Sequence, residues 1–315
     1  MSAAPHAAAP HAAAGPVTVR VPAKVNVQLA VGAARADGFH DLATVFLAVS
    51  LYDEVTATAT SGDGPTVGCE GPGSDQVPLD RTNLAARAAE LLAARAGLTP
   101  AVHLHIAKNI PVAGGMAGGS ADGAAALLAC DALWGLATPR EELLELCAEL
   151  GSDVPFSLLG GAALGTGRGE LLTPVPAGRF HWVFAVAHGG LSTPTVFREF
   201  DRLTEGTAVP APRASAELLA ALASGDPDAL AAVLPRSNGL QPAALSLRPE
   251  LARTLEAGVA AGALAGLVSG SGPTTAFLVR DEEAGLKVAA ELDASGTCRA
   301  TRVTSSPAAG ATVLA

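Results

Sequence analysis

A run of glycines in the middle of the chain has the composition of a phosphate-binding loop. Residues 110–123 read IPVAGGMAGGSADG and lead into an apolar helical pattern. The residues with loop chemistry are four glycines and a serine, Gly114, Gly115, Gly118, Gly119 and Ser120. Glycine lets the backbone turn tightly and approach a ligand closely, and the first N–H groups of a helix attract anions. The segment predicts a phosphate cradle, although a mobile loop without a ligand would have the same composition.

The two common phosphate-binding motifs fit this loop poorly. A P-loop requires Gly-Lys followed by Ser or Thr, and residues 110–123 contain no lysine. A Rossmann loop belongs to a βαβ unit with an acidic residue about 20 positions further on. Here a second helical pattern, with apolar residues from Leu143 to Leu150, follows the first. The loop therefore indicates another class of nucleotide-binding protein.

The loop resembles the second motif of the GHMP kinases, Pro-x-x-x-Gly-Leu-Gly-Ser-Ser, with Met116 in place of leucine and a glycine-richer end. Further segments agree with the 4-diphosphocytidyl-2-C-methyl-D-erythritol kinase branch of that superfamily. They are PAKVNV at 22–27, RADGFHDL at 35–42, GSDVP at 151–155, GRGE at 167–170 and VSGSGPT at 268–274. The motifs occur in family order and cover essentially residues 17–305. The chain is identified on them as a member of the GHMP superfamily.

This resemblance implies an α+β fold of two domains. Residues 16–178 would form the GHMP N-terminal ATP-binding domain, an α/β domain similar to the second domain of ribosomal protein S5. Residues 179–315 would form a ferredoxin-like α+β domain, with the site between the two. Strands and helices also follow each other without a steady βαβ rhythm, which favours α+β independently. Residues 1–15, which repeat PHAAA, are predicted to be a disordered tail.

The implied reaction is transfer of the ATP γ-phosphoryl group, with Mg²⁺, to the 2-hydroxyl of 4-diphosphocytidyl-2-C-methyl-D-erythritol in the cytoplasm. A homoserine or mevalonate kinase is the alternative within the superfamily, and a non-catalytic nucleotide-binding protein on the same scaffold is the other. The presence of both Lys24 and Asp153 favours an enzyme, because binding alone does not require a base. The sequence leaves a monomer and a homodimer both open.

Two residues are the candidate catalytic pair. Asp153 follows a helical pattern and precedes Pro155, so on its own it would be interpreted as a turn or cap residue. The resemblance makes it the base that takes the proton of the acceptor hydroxyl, with Lys24 beside it. Lys24 and Asn26 have the same parity in an alternating strand, so both side chains should project from one face. By resemblance Asn26 belongs to the substrate site.

The other site residues are assigned by resemblance. Nucleotide contacts would come from the glycine loop and from Asn83, Lys108 and Pro111. A helix cap remains the alternative for Asn83 and a solvated strand end the alternative for Lys108. The substrate side comprises a cytosine pocket and its neighbours, Phe39, His40, Thr193, Phe197 and Gly270. Phe39 stands where the branch has tyrosine, which keeps the aromatic face and loses the hydroxyl.

Composition excludes some classes of function. The formal net charge is −10, whereas a general nucleic-acid or anionic-membrane binder requires a basic surface. No apolar run reaches the ~18 residues that a transmembrane helix requires. The four cysteines form no CxxC pair, so they are predicted to be buried free thiols rather than metal ligands. The sequence thus predicts neither a membrane partner nor a dedicated metal site.

Overall fold

The computed structural model describes residues 15–314, so the predicted tail at residues 1–15 lies outside the described residues except for Gly15. Eleven strands occur in the described range: β1 (Val17–Ala34), β2 (His40–Ala59), β3 (Thr66–Glu70), β4 (Val102–Ala107), β5 (Ala162–Thr166), β6 (Leu171–Pro174), β7 (Phe180–Val186), β8 (Ala265–Val268), β9 (Thr275–Val279), β10 (Ala300–Ser306) and β11 (Thr312–Val313). Ten α-helices accompany them: α1 (Leu84–Ala96), α2 (Gly118–Trp134), α3 (Arg140–Leu150), α4 (Val154–Leu159), α5 (Thr193–Thr204), α6 (Ala216–Ser224), α7 (Pro227–Val233), α8 (Gln241–Leu247), α9 (Glu250–Ala260) and α10 (Glu282–Ser295).

A long antiparallel hairpin, β1 and β2, is the centre of the first sheet, whose strand order is β11-β1-β2-β4-β3. Strand β5 pairs with Thr44–Leu47 of β2, and β6 pairs with β5 as a short hairpin. Proline usually interrupts a strand, but β1 continues through Pro22 with a register shift between Pro22 and Ala23, because a bulge accommodates a residue that lacks an N–H. Lys24, which follows this bulge, therefore remains within β1.

Helix α2 covers this sheet and carries the end of the glycine-rich loop. Its buried residues include several alanines, of which Ala124, Ala125 and Ala126 are fully buried, and such small side chains let a helix approach its neighbours closely. Helix α1 packs beside it. Asn83 caps α1 through its side chain, and Gly97 ends it in the left-handed conformation. The cap at Asn83 is the role that the sequence had left open as the alternative for this residue.

The second sheet has the order β10-β7-β9-β8, with all neighbours antiparallel. Numbered within this unit, the order is 4-1-3-2, and α10 and the helices after β7 complete a βαββαβ arrangement. This is the ferredoxin-like topology, so the α+β fold class is confirmed. The final strand β11 returns to pair with β1. The boundary placed between residues 178 and 179 stays a prediction.

Several short elements were not predicted. They are α5, α8, β3, β5 and β6; most have seven residues or fewer, too short to show a clear period. The cysteines are free, and Cys130, Cys147 and Cys298 are buried as expected, whereas Cys69 is only partly buried. Within residues 15–314, no helix combines the length and the apolar character needed to cross a bilayer.

Candidate active site

One cleft of about 710 Å³ collects most of the predicted site residues. Its walls are the glycine-rich loop, the turn between β1 and β2, the start of α5 and the turn after β8. The lining includes thirteen predicted residues: Lys24, Asn26, Phe39, His40, Gly114, Gly115, Gly118, Gly119, Ser120, Asp153, Thr193, Phe197 and Gly270. The structure therefore places the predicted catalytic, phosphate and cytosine residues along a single cavity.

Lys24 and Asp153 meet in this cleft. The Lys24 Nζ atom lies 3.4 Å from Asp153 Oδ2, and the Lys24 side chain is only 7% exposed whereas that of Asp153 is 34% exposed. Asp153 stands at the N-cap position of α4, but its side chain accepts no capping hydrogen bond. A cap role would use the carboxylate on the helix N–H groups. Here the carboxylate is left for the cleft, which favours the catalytic interpretation over the turn interpretation.

A buried chain of hydrogen bonds fixes the lysine. Lys24 Nζ donates to Asn26 Oδ1 at 2.5 Å, and Asn26 Nδ2 donates to Thr44 Oγ1 at 2.7 Å. Lys24 and Asn26 do lie on one face of β1, as their parity predicted. Gly270 packs directly over the pair, since a Cβ there would lie 2.9 Å from Asn26 Oδ1. Its φ of +59° also favours glycine.

The loop and the first turn of α2 present free backbone donors to the cleft. The first hydrogen bond of the helix runs from Ala121 N to Ala117 O. The N–H groups of Gly118, Gly119 and Ser120 are therefore outside the intrahelical pattern. A Cβ at Gly119 would meet no atom within 4 Å, so the backbone is open to a ligand there. These donors and the helix dipole fit a nucleotide phosphate.

Three predicted nucleotide residues do not line the cleft. Asn83 is 5% exposed, and its amide is engaged by Ala85 N and Pro78 O. Pro111 is buried under the loop, where a Cβ built on Gly114 would lie 3.0 Å from the Cβ of Pro111. Lys108 is 2% exposed and bonds to two buried aspartates. None of the three faces the cavity: Pro111 and Lys108 lie against the loop from behind, and Asn83 caps α1.

An aromatic pocket forms the other end of the cleft. The rings of His40 and Phe197 lie 4.9 Å apart at 32°, and Phe39 is half exposed with the guanidinium of Arg168 5.2 Å from its centroid. His40 Nε2 is 2.8 Å from Asp201 Oδ1. A flat base would find aromatic faces and a polar ring edge here.

Comparison with known proteins identifies the family. The GHMP kinases N terminal domain matches residues 83–161, and the GHMP kinases C terminal domain matches residues 218–298. A 4-diphosphocytidyl-2-C-methyl-D-erythritol kinase from Streptomyces avermitilis is 73% identical over 299 residues, which are 95% of this chain and 99% of that protein. The chain belongs to this kinase family. It is thus a GHMP kinase, as its motifs predicted.

Solved structures agree with this assignment to the 4-diphosphocytidyl-2-C-methyl-D-erythritol kinase family. A crystal structure of 4-(cytidine 5'-diphospho)-2C-methyl-D-erythritol kinase is 32% identical, covers 91% of this chain and 98% of its own, and superposes with a TM-score of 0.72. A homoserine kinase from Cytophaga hutchinsonii gives a TM-score of 0.73 at 19% identity, covering 96% of this chain and 99% of its own. At that identity the likeness shows the shared fold alone.

Sequence reasoning missed two charged residues of this kinase site, Asp201 and Arg168. Helix α5 places Thr193, Phe197 and Asp201 at i, i+4 and i+8, so all three project from one side. Extending the helical period beyond Phe197 would have found Asp201. Arg168 was noted only as part of the GRGE motif, and no local signal places it against Phe39. The turn between β5 and β6 carries it there.

Proposed function

We propose that this kinase transfers the γ-phosphoryl group of ATP to the 2-hydroxyl of 4-diphosphocytidyl-2-C-methyl-D-erythritol. The observation that carries the proposal is the Lys24–Asp153 contact, 3.4 Å long, in the same cleft as the glycine-rich loop and the aromatic pocket. ATP would lie with its phosphates at the loop. The acceptor would lie with its cytosine at the aromatic end and its hydroxyl at Asp153.

The bond changes assign a role to each of the two central side chains. The acceptor O–H bond breaks, its oxygen forms a bond to the γ-phosphorus, and ADP leaves. Asp153 is positioned to take the proton, since its carboxylate is neither capping a helix nor buried. Lys24 supplies a fixed positive charge beside the reacting oxygens, where charge is stabilised without reorganisation. Asn26 and Gly270 hold that charge in place.

Magnesium would be held by the nucleotide rather than by a protein cage. Residues 15–314 contain no group of three or more His, Cys, Asp or Glu side chains arranged to hold a metal. A bound Mg²⁺ would neutralise negative charge on the β- and γ-phosphates. This fits a site whose protein contribution to the phosphates is mostly backbone N–H groups.

Buried free thiols also support a reducing compartment such as the cytoplasm.

The aromatic pocket separates this proposal from its alternatives. Homoserine and mevalonate carry no base, so such acceptors would leave the Phe39, His40 and Phe197 faces without a partner. A binding protein without activity would not require the Asp153 carboxylate to stay free of a capping hydrogen bond beside a lysine. Neither alternative is favoured by the relatives of high identity.

Acceptor selectivity tests the proposal directly. We expect phosphorylation of the diphosphocytidyl substrate and none of the methylerythritol phosphate that lacks the cytidyl group, measured by ADP release. His40→Ala should raise the acceptor KM about 5–150-fold, because a hydrogen bond to a base edge contributes about 1–3 kcal/mol. His103→Ala, on β4 outside the cleft, is the matched control. Equal turnover of both acceptors would disprove the cytosine assignment.

A further inference from the structure

A buried ionic cluster lies directly behind the glycine-rich loop. Lys108 Nζ donates to Asp122 Oδ2 at 2.8 Å and to Asp53 Oδ2 at a shorter distance. Asp53 is fully buried, and Lys108 and Asp122 are 2% and 3% exposed. The three residues come from β2, from the end of β4 and from α2. None of them lines the cleft.

Burying three ionisable side chains has a cost that stability alone does not explain. Apolar residues of similar volume often stabilise a protein as well as a buried ion pair or better. Asp122 Oδ1 is in addition buried without a hydrogen-bond partner, which carries a further desolvation penalty. In some proteins such buried ionic groups specify the conformation of the structure around them.

Its contacts converge on the two ends of the loop. At the entry, Asp53 Oδ1 accepts hydrogen bonds from Asn109 N at 2.6 Å and Ile110 N at 2.8 Å. At the exit, a Cβ built on Gly118 would lie 3.1 Å from Lys108 Nζ, so the ammonium sits against the first residue of α2. Asp122 ties the same ammonium to the second turn of that helix. The cluster thus fixes both ends of the loop with one cation.

We propose that Asp53, Lys108 and Asp122 are positioning residues for ATP, whose buried contacts hold the loop in the conformation that receives the phosphates. The inference rests on the proposed function only in that ATP binds at this loop. Its tests measure ATP binding without acceptor, so they stand even if the acceptor assignment fails. Lys108 then acts through the loop and does not itself contact the nucleotide.

The charge of the cluster depends on pH near neutrality. Burial raises the pKa of the Asp122 carboxyl to about 8, against the attraction of Lys108 and with a further rise from Asp53. The two carboxylates outweigh burial and raise the pKa of Lys108, which stays an ammonium. The other titratable group facing the cluster is Cys69 on β3, whose pKa burial and the charge of Asp122 raise. Asp122 therefore takes up its negative charge at a higher pH than an ordinary carboxyl does, and that charge lies behind the loop.

The pH dependence of ATP binding provides the first test. We expect the Kd for ATP, measured by calorimetry between pH 6.5 and 9.5, to rise roughly tenfold through about pH 8, because the new charge repels the phosphates at short range. Asp122→Asn cannot ionise, so its Kd should stay at the low-pH value across the range. Comparing the two proteins cancels the titration of ATP itself. Identical pH profiles would overturn the proposal.

Charge compensation provides the second test and separates positioning from direct contact. Lys108→Met leaves the buried Asp53 carboxylate without its cation, and we expect its Kd for ATP to rise at least about tenfold. The triple variant Asp53→Asn, Lys108→Met, Asp122→Asn removes the uncompensated charge, while the amide introduced at position 53 can still accept from the loop N–H groups. Its Kd should lie between those of Lys108→Met and wild type, because the contacts from position 53 to the loop remain while the link through the ammonium is lost. A folded triple variant that stays as weak as Lys108→Met would assign Lys108 to the nucleotide and refute the proposal.

Thermal melting shows whether each variant used in the two tests is folded. Asp122→Asn replaces a neutral acid by an amide of the same shape at pH 7, so its Tm should equal or exceed that of wild type. If Lys108→Met fails to fold, the comparison moves to the triple variant and Asp122→Asn. A triple variant that folds and binds ATP as tightly as wild type at pH 7 would show that the cluster does not position the loop, whereas one that folds and keeps a weakened but measurable affinity supports the proposal.

Discussion

Asp153→Asn is expected to lower kcat by roughly 10²–10⁴-fold, the range for loss of a general base. The amide keeps the shape of the carboxylate but cannot take the proton of the acceptor hydroxyl. The Kd values for ATP and acceptor should change little, since the proton transfer stabilises mainly the transition state. Steady-state kinetics with saturating substrates measures kcat, and calorimetry measures the two Kd values.

The position of Lys24 makes its effect depend on Asp153. Its ammonium lies 3.4 Å from Asp153 Oδ2 and is held by Asn26. Lys24→Met should also lower kcat, and the loss in the double variant should be smaller than the sum of the two losses in activation free energy, because neighbouring groups that act as a unit are not additive. Additive losses would separate Lys24 from the base.

A matched control distinguishes chemistry from the loss of one negative charge. Asp63→Asn removes the same charge at an exposed bend away from the cleft, and kcat should stay at the wild-type value. If Asp153→Asn were fully active, Asp153 would be a turn residue. The proton would then have to leave by a route assisted by the substrate.

The parts of the site that follow from local patterns were predictable from sequence. Lys24 and Asn26 share a strand face through a period of two residues, and their contact confirms that geometry. The glycine loop was recognised from composition, and the start of α2 lies within it. The ferredoxin-like order was available only through the resemblance. Pairing β7 with both β10 and β9 joins segments that no local period connects.

The parts that were missed depend on distant partners. His40 and Asp201 are 161 residues apart in the chain, and their hydrogen bond requires α5 to pack beside the β1–β2 turn. Lys108 was assigned to the nucleotide by resemblance, with a solvated strand end as the alternative. The structure directs its side chain to the opposite side, where Asp53 and Asp122 lie 55 and 14 residues away. A strand end does not reveal in sequence which side its last residue will face.

Gly119→Val is expected to remove most ATP binding while the fold survives. Gly119 lies at the cleft in the first turn of α2, and a Cβ there meets no protein atom within 4 Å. The valine side chain would therefore occupy the space proposed for the phosphates. We expect kcat/KM for ATP to fall by roughly 10²-fold or more, the loss that a misplacement of about 1 Å can cause. Gly119→Ala should give a smaller loss in the same direction.

The choice of Gly119 over Gly118 follows from the packing behind the loop. A Cβ at Gly118 would press on Ile110 and on the Lys108 ammonium, both at 3.1 Å, so its replacement would disturb the loop as well as the cleft. At Gly119 valine replaces the poorer helix former, and Tm should not fall. Gly62→Val, at an exposed bend with nothing closer than 3.8 Å to its Cβ, is the matched control. Unchanged ATP affinity in a folded Gly119→Val protein would place the nucleotide phosphates elsewhere in the cleft.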